Sequence, residues 1–263
     1  MVSRNFIDGQ IIQEIKRKKE QLDSCGNCII KNTIQRYIEH CVENEATLHS
    51  YRIEHDSEFF KTDYNTHASR KAIRKGSKNI KNAMTWGIKN LNLDKFNQKF
   101  IQELAVRTAP ESFISDFGYY RTRGVRVSDA NWTPPYVEKL PREMERLTQF
   151  ITWNTNKDDI STVVESALYA HLHLVRIHPF DDGNGRTART LQNVMLESVG
   201  LPPPIIYAGE RHDYYGHLQN AINGWRDRTG SDSDQIGDSP AENSFYDYMA
   251  GKISASLDRV LIR

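Results

Sequence analysis

Residues 178–189, His-Pro-Phe-Asp-Asp-Gly-Asn-Gly-Arg-Thr-Ala-Arg, constrain this chain more than any other segment. The two glycines that flank Asn184 allow positive φ values and a close approach of the backbone to a ligand. Successive N–H groups in such a turn form an anion-binding concavity. Leu191, Val194 and Met195 then follow at the i, i+3, i+4 spacing of an apolar helical face, so the turn opens a helix. The N terminus of that helix adds a partial positive charge.

The charged side chains of this segment suit the same chemistry. Arg186 and Arg189 are three positions apart, so they share a helical face, and their guanidinium groups match phosphate oxygens. Asp182 is placed to bind Mg²⁺ together with substrate phosphates. His178 follows an apolar helical run and has the side chain best suited to proton transfer near neutral pH. A connecting turn, a helix-capping histidine and an N-cap aspartate are the plainer explanations, but their coincidence favours a polyphosphate site.

The segment resembles the signature of the Fic (filamentation induced by cAMP) family, His-Pro-Phe-x-(Asp/Glu)-Gly-Asn-Gly-Arg-x-x-Arg, at every fixed position. The resemblance implies an all-α Fic fold, a helical bundle with a small β-hairpin flap. It also implies Mg²⁺-dependent transfer of AMP from ATP to a Ser, Thr or Tyr hydroxyl of a target protein. The related Doc branch has a lysine where this chain has Gly185, which argues against a Doc-type kinase reaction.

The resemblance assigns a role to each position of the loop. His178 is expected to be the general base, Asp182 to hold Mg²⁺ against the α- and β-phosphates, and Phe180 to anchor the loop in the core. The expected nucleotide-binding residues line the anion hole or contact the phosphates, and they are Gly183, Asn184, Gly185, Arg186, Thr187 and Arg189. The two arginines are expected to bind the outer phosphates.

Tyr214 and Tyr215 resemble the tyrosine pair that many family members place beside the adenine. The same role is therefore expected for them, although an ordinary helix with one buried ring is an equal alternative. Many relatives continue with Ala-Asn, whereas this chain has Ala221-Ile222, so the polar contact made by that asparagine is not expected.

A target-binding flap is expected within residues 118–132. Gly118-Tyr119-Tyr120-Arg121 matches the Gly-x-Tyr-Arg start of the family's flap. Val125-Arg126-Val127 alternates as a short half-buried strand does. Such a flap would align a segment of the target protein by strand pairing.

Residues 50–55, Ser-Tyr-Arg-Ile-Glu-His, resemble the family's inhibitory motif, (Ser/Thr)-x-x-x-Glu-(Gly/Asn). The resemblance implies an inhibitory helix in the same chain, in which Glu54 pairs with Arg189 and Ser50 steadies the carboxylate from one turn back. Only His55 departs from the pattern, and histidine can still end a helix there. Ser-x-x-x-Glu is common in plain amphipathic helices, so the motif gains its weight from the complete Fic loop downstream.

Composition narrows the class of protein. Of the 263 residues, 38% are hydrophobic and 26% charged, which is ordinary for a soluble protein. The net charge of +1 gives no field that would attract nucleic acid. No apolar run approaches the ~20 residues that span a membrane, and the first residues show no signal-peptide pattern. We therefore predict a cytoplasmic protein with no membrane segment and no nucleic-acid partner.

One pair of cysteines and one pair of histidines have spacings that suggest metal binding, but neither pair completes a metal site. Cys25 and Cys28 form a C-x-x-C without the second pair that a tetrahedral zinc site requires, so incidental thiols are the favoured interpretation. His171 and His173 are two positions apart and do not share a helix face. We interpret both histidines as packing or surface residues.

Most of the chain is expected to be helical, in three regions. Residues 1–95 form an N-terminal helical region that carries the inhibitory motif, 96–225 the Fic core, and 226–263 a polar loop and a C-terminal helix. The predicted helices cover residues 10–23, 29–55, 96–107, 136–153, 161–177 and 241–260. The basic stretch 70–81 is expected to be a solvated helical face.

Alternatives to AMP transfer remain open at this stage. The same site can remove AMP from a target, with Glu54 positioning a water molecule. A Fic relative can also use another donor, such as UTP, GTP or a phosphocholine carrier. A helical binding module with a silent loop is disfavoured by the intact loop and its two arginines. A regulatory homodimer is a further possibility that the resemblance raises, and the sequence does not name the target.

Overall fold

The structure, a computed structural model, describes residues 6–25, 28–59, 67–113, 120–127, 130–229 and 239–262. Within these ranges the fold is all-α, as predicted, and contains no strand. Its helices are α1 (Gly9–Ser24), α2 (Cys28–Tyr37), α3 (Glu43–Phe59), α4 (His67–Asn90), α5 (Gln98–Thr108), α6 (Leu140–Asn154), α7 (Ile160–Ile177), α8 (Asn184–Glu197), α9 (Arg211–Thr229) and α10 (Pro240–Leu261). Short 3₁₀ turns lie at Leu93–Lys95, Pro110–Ser112, Val137–Lys139 and Ala208–Glu210.

Local sequence explains where several helices begin. Asp8, Asn97 and Asp159 precede α1, α5 and α7, and the side chain of each accepts a hydrogen bond from a backbone N–H two or three residues on. The predicted helix over residues 136–153 begins later, at Leu140, because residues 137–139 form a 3₁₀ turn. Pro141 then occupies the first turn, where its missing N–H costs no hydrogen bond.

Helices α7 and α8 form the centre of the fold. Nearly every residue of α7 from Val163 onward is buried, and so is nearly every residue of α8 up to Leu196. Helix α6 packs on α7, helices α3, α4 and α5 pack on α8, and α9, α10 and α1 close the other side. The loop that joins α7 to α8 is therefore held by the two most buried helices. One apolar core includes residues from all three regions expected from the sequence, whose boundaries stay predictions.

The segment predicted as one helix over residues 29–55 is longer and less regular. Helix α2 passes through a π turn at Ile38–Val42 into α3, which continues to Phe59. The expectation that His55 can end this helix is wrong. Its ring stacks on Tyr51 with centroids 4.1 Å apart, and its Nδ1 lies 3.0 Å from the Tyr51 carbonyl oxygen one turn back.

The basic stretch 70–81 lies on α4. Gly76 and Ile80 are buried, whereas the side chains exposed to solvent are those of Arg70, Lys71, Arg74, Lys75 and Lys78. This is the solvated face that the charge spacing indicates. In the described part of the chain, no helix has both the length and the apolar composition that crossing a bilayer requires.

The predicted flap falls partly on residues 114–119 and 128–129, which lie outside the described residues, as does 230–238 of the polar loop. Residues 120–127 and 130–136, which are described, form no strand, so the β-hairpin stays a prediction. Cys25 is a free thiol, and the side chains of Cys28 and Cys41 lie outside what the structure describes.

Candidate active site

His178 stands at the point where α7 stops. It is the C-cap of that helix, with φ 51° and ψ 56°, and its N–H donates to the Leu174 carbonyl at 3.0 Å. Among the described residues it is the one non-glycine residue with a positive φ. Left-handed backbone at a residue other than glycine is strained and concentrates at functional sites. His178 is thus both the helix cap of the plainer explanation and a candidate catalytic group.

The imidazole of His178 is set up as a neutral base. Its Nδ1 lies 3.2 Å from the Val175 carbonyl oxygen, which only accepts, so the proton is assigned to Nδ1 and the lone pair to Nε2. Burial lowers the pKa of His178 to about 4, which keeps the ring unprotonated at neutral pH. Trp132 covers the ring edge-on, with centroids 6.1 Å apart.

The loop after His178 is pinned by Phe180 and Asn184. The Phe180 ring is fully buried and meets Phe113 at 5.5 Å, which agrees with its predicted anchoring role. The Asn184 side chain accepts from the Phe180 N–H and donates to the Phe180 carbonyl, both at 2.9 Å. The side-chain amide of Asn184 therefore shapes the loop from inside, and a contribution of the Asn184 backbone to the anion hole stays a prediction.

Thr187 is also used internally. Its side chain is fully buried, and its Oγ1 donates to the Gly183 carbonyl at 2.8 Å. The predicted nucleotide contact of Thr187 is therefore wrong for its side chain, because the hydroxyl is turned into the first turn of α8. Its effect on the site is to stiffen that turn.

The two glycines serve different purposes. Gly183 caps α8 with φ 75°, and an added Cβ would lie 2.7 Å from Ala109. Gly185 has the backbone conformation of the helix and not the positive φ that we expected, so φ does not explain why a glycine stands there. A Cβ on Gly185 would lie 2.4 Å from Oε1 of Glu54. The absence of a side chain lets a carboxylate oxygen approach the N terminus of α8 directly, where the backbone attracts anions.

Glu54 on α3 bridges both arginines of the loop. Its Oε1 accepts from Arg189 Nη2 and its Oε2 from Arg186 Nε, each at 2.8 Å. Both guanidinium groups are buried, since 1% of the Arg186 side-chain surface and 4% of the Arg189 side-chain surface are exposed. The carboxylate therefore occupies the anion site that the two guanidinium groups and the start of α8 form. The sequence predicted the contact with Arg189, and the structure adds the contact with Arg186.

Ser50 acts differently from the prediction. We expected it to steady the Glu54 carboxylate, but it contacts Arg189 instead. Its hydroxyl accepts from Arg189 Nε and its carbonyl from Nη2, both at 2.9 Å. Arg189 is therefore bound by two successive turns of α3, through Ser50 and Glu54.

Arg186 is surrounded by carboxylates. Its Nε donates to Glu54, its Nη1 to Glu111 at 2.5 Å and its Nη2 to Asp182 at 2.9 Å. Ser112 also donates to Asp182, at 2.9 Å. Glu111 and Ser112 were not found from the sequence, because nothing in their local pattern indicates a contact with residues 70 or more positions away.

Asp182 is the candidate ligand for a metal ion. Its side chain is 64% exposed beside the loop. Partial loss of solvent beside the loop raises the pKa of Asp182, but Arg186 and the Gly183 N–H hold that pKa below its ordinary value, so the group is ionised. No group of three or more His, Cys, Asp or Glu side chains within the described ranges is arranged to hold a metal. One exposed carboxylate beside an anion site fits Mg²⁺ that is bound jointly by protein and phosphates.

The two tyrosines differ in burial: Tyr214 is buried and Tyr215 is partly exposed. The Tyr214 side chain is fully buried, and its hydroxyl lies between His171 Nε2 at 2.8 Å and Arg189 Nη1 at 3.3 Å. This conformation leaves no Tyr214 surface for an adenine ring, which corrects its predicted role. Tyr215 is partly exposed, with the Arg211 guanidinium 5.3 Å from its ring centre. The adenine contact stays a prediction for Tyr215.

Arg121 joins the flap segment to the loop. Its Nε donates to the His178 carbonyl at 2.8 Å, and its guanidinium also donates to the carbonyls of Arg123 and Pro135. Its backbone N–H donates to the Pro179 carbonyl at 2.8 Å. The sequence marked Arg121 as part of the flap but gave no sign that its side chain holds the backbone of the candidate base.

Comparison with known proteins agrees with this geometry. A family model described as the Fic/DOC family matches residues 93–196, which include the whole loop but neither Glu54 nor Tyr214. A protein adenylyltransferase Fic from Nematostella vectensis is 42% identical over 125 residues, which make up 47% of this chain and 28% of that protein. The chain therefore spans little more than a quarter of that relative's length.

Solved structures share the fold across most of the chain. A Fic-domain-containing signalling protein from Bacteroides thetaiotaomicron superposes with a TM-score of 0.72 over 95% of both chains, at 19% identity. A structure of IbpAFic2 gives a TM-score of 0.52 over 92% of this chain and 76% of that one, at 12% identity. The solved structures show the fold, and the match to the family model identifies residues 93–196 of this chain as a Fic/DOC family domain.

Proposed function

We propose that this protein is a protein adenylyltransferase, which transfers AMP from ATP to a hydroxyl group of a target protein. The observation that carries the proposal is a neutral imidazole, His178, beside an anion site built from two buried arginines and the start of α8. The relative from Nematostella vectensis carries the name of this activity. A domain of the same family and the same loop chemistry support a similar reaction here.

The reaction divides the work between the base and the anion site. Nε2 of His178 accepts the proton of the target hydroxyl, whose oxygen forms a bond to the α-phosphorus of ATP. The bond from that phosphorus to the bridging oxygen breaks, and pyrophosphate leaves. Arg186 and Arg189 bind the outer phosphates and stabilise the charge that develops on them. Positioning and charge stabilisation provide most of the catalysis in reactions of this type.

Asp182 would hold Mg²⁺ in this reaction. The metal ion would neutralise charge on the phosphates. Asp182 fits this role because its carboxylate is ionised and largely exposed beside the anion site. Its side-chain partners Arg186 and Ser112 both contact Oδ2, so Oδ1 could face the metal while these two contacts stay.

Glu54 makes this conformation an inhibited one. It engages both arginines that the outer phosphates require, and its Oε1 lies against Gly185. ATP cannot form its full set of contacts while this carboxylate stays. Misplacement of a reacting group by ~1 Å can cost ~10²-fold in rate, so even partial competition suffices. We therefore include regulation by α3 in the proposal.

The substrate hydroxyl is proposed to belong to a protein docked at the flap, residues 118–132. The IbpAFic2 structure is a complex with adenylylated Cdc42, which shows a protein target for that relative. A cytoplasmic location and a regulatory homodimer complete the proposal as predictions from the sequence.

The decisive experiment compares wild type with Glu54→Gly in the presence of α-labelled ATP, Mg²⁺ and a cell extract as the source of targets. We expect Glu54→Gly to label target proteins, or itself, at least tenfold faster than wild type. Glu45→Gly is the matched control, because Glu45 lies on the same helix but pairs with Arg259, outside the site. Equal labelling by all three proteins would show that Glu54 on α3 does not inhibit transfer.

The same assay separates the competing functions. Labelling by UTP, GTP or a phosphocholine carrier in place of ATP would change the donor but keep the site. If wild type removes AMP from a pre-labelled target and Glu54→Gly does not, then removal is the principal activity and Glu54 positions the water. If no donor labels any protein with Glu54→Gly, the transferase proposal fails.

A further inference from the structure

A chain of buried polar groups reaches Arg189 from the side opposite α3. His171, in the middle of α7, is fully buried, and both of its ring nitrogens are hydrogen-bonded. Nδ1 lies 2.7 Å from Gln192 Oε1, and Nε2 lies 2.8 Å from the hydroxyl oxygen of Tyr214. That hydroxyl in turn lies 3.3 Å from Arg189 Nη1. The sequence predicted His171 only as a packing or surface residue.

The direction of each hydrogen bond follows from the partners. Gln192 uses its amide nitrogen to donate to Asn193 Oδ1 at 3.2 Å, so its oxygen faces His171. An amide oxygen only accepts, which assigns the proton to Nδ1 of His171. A ring kept neutral by burial then has its lone pair on Nε2 and accepts from the Tyr214 hydroxyl. The oxygen of Tyr214 is left with its lone pairs directed to Arg189.

Arg189 therefore has two independent sets of partners. Ser50 and Glu54 hold it from α3. Among the described residues, the one hydrogen bond to its side chain that does not come from α3 is the bond to Tyr214. Loss of the Glu54 contact leaves Arg189 with the contacts from Ser50 on one side and the contact from Tyr214 on the other.

We propose that His171 is a positioning residue, which fixes the Tyr214 hydroxyl so that Arg189 stays aligned for the outer phosphates when Glu54 has left. The relay His171–Tyr214–Arg189 preorganises the guanidinium and so spares the nucleotide the cost of ordering a long side chain. The inference rests on the proposed function in one respect, namely that Arg189 binds phosphates beyond the first.

The test measures ATP and AMP affinity by calorimetry in the Glu54→Gly background. AMP lacks the outer phosphates, so it reports on the remainder of the site. We expect Tyr214→Phe and His171→Phe each to weaken ATP binding about tenfold and to change AMP binding less than twofold, as the loss of one hydrogen bond to a charged group implies. The double variant should be no weaker than Tyr214→Phe alone, because both changes act through the same hydroxyl.

Two further variants make the result specific. His173→Phe removes an equally buried imidazole of α7 that contacts Arg176 and not the relay, so it should leave both affinities unchanged. Arg189→Ala removes the guanidinium entirely, so its loss of ATP affinity is the largest loss that the relay variants can cause through Arg189. If Arg189→Ala does not weaken ATP relative to AMP, the phosphate role in the proposed function fails.

If Arg189→Ala weakens ATP binding but Tyr214→Phe does not, the relay is overturned while the phosphate role stands. Equal losses of ATP and AMP binding in the relay variants would also overturn it, because they would indicate general damage. Tyr214→Phe keeps the buried ring and decides the question if His171→Phe does not fold. Calorimetry needs no transfer of AMP, so a failure to label any target leaves this test intact.

Discussion

At the scale of single residues, His178 carries the most specific expectation. We expect His178→Ala in the Glu54→Gly background to lose ~10²–10⁴-fold in transfer rate, because a positioned base is removed. ATP affinity should stay within about twofold, since the imidazole faces the hydroxyl and not the outer phosphates. His217→Ala is the control, because that ring stacks on Tyr248 away from the site. Transfer by His178→Ala at the rate of its parent would show that another group is the base.

The pH dependence of transfer tests the state of the same ring. Burial lowers the pKa of His178 to about 4, so the base is already unprotonated at pH 6. With saturating Mg²⁺ and ATP, we expect rates of Glu54→Gly that are level between pH 6 and 8 and fall only at about pH 4 or below, because this variant also lacks the Glu54 charge that raises the pKa of His178. An ordinary exposed histidine would instead lose activity around pH 6.5. A midpoint near that value in initial-rate measurements would contradict the buried, neutral base.

Asp182 and its neighbour Asp181 offer a matched pair for the metal. Changes to groups that merely support metal ligands cost ~10–100-fold, so loss of the ligand in Asp182→Asn should cost at least as much at a fixed Mg²⁺ concentration. Higher Mg²⁺ should recover part of that activity. Asp181→Asn should have little effect, because Asp181 lies 3.6 Å from exposed Arg123, outside the anion site. Identical Mg²⁺ titrations for the two variants would remove Asp182 as the ligand.

The contiguous part of the site could be predicted from the sequence, and the rest could not. His178, Phe180 and the loop arginines lie within twelve residues, so their spacing alone brings them together. Glu111 and Arg121 reach the loop from 75 and 57 positions away, and only the tertiary packing creates those contacts. Thr187 was assigned wrongly because a motif gives residue types but not which way a side chain turns.

At the scale of elements, the docking of α3 on its neighbours decides whether Glu54 reaches the arginines. Gly76 on α4 gives room to Tyr51 of α3, since an added Cβ would lie 1.9 Å from its ring. We expect Gly76→Ala to push α3 outward and to raise AMP transfer ~5-fold or more, because overpacking costs ~1–3 kcal/mol. The gain should stay below that of Glu54→Gly, and the measurement is the rate of target labelling.

Gly87→Ala is the control for this change. Gly87 lies on the same helix, but a Cβ there would lie 2.6 Å from Val194 of α8 and not from α3. Both variants should melt at lower temperature, yet only Gly76→Ala should become more active. Activation by both variants would indicate that loosening of the core, and not movement of α3, releases the site.

Periodicity in the sequence predicted α1, α5, α7 and α10 to within two residues at each end, but it indicated only residues 70–81 of α4 and did not predict α9 as a helix. It missed the π turn at Ile38–Val42, since an extra residue in a helical turn leaves the composition unchanged. It also ended α3 too early at His55, whose stacking on Tyr51 continues the helix. Local pattern therefore finds an element more reliably than it finds the element's irregularities and ends.

At the scale of the whole molecule, the helices before the matched domain are part of the same core. Four buried apolar side chains illustrate this: those of Ile15 and Leu22 on α1, Val42 in the π turn before α3, and Ile53 on α3. Lys18 of α1 also pairs with Asp258 of α10 at 2.7 Å. Exposing four such apolar side chains costs roughly 6 kcal/mol or more, which is comparable with the total stability of a typical domain.

A fragment that begins at His67 therefore should not reproduce Glu54→Gly, although both lack the inhibitory carboxylate. We expect the fragment to melt without a cooperative transition, to bind a hydrophobic dye and to transfer little AMP. Glu54→Gly should keep a cooperative melt, because Glu54 is a partly exposed side chain whose removal leaves the apolar contacts of α3 in place. Circular dichroism melts and the labelling assay measure the two properties together. A stable and active fragment would instead show that residues before His67 form a separable regulatory unit. The shared core argues against that outcome, since α8, which begins with the anion site, is packed directly by α3, which the fragment lacks.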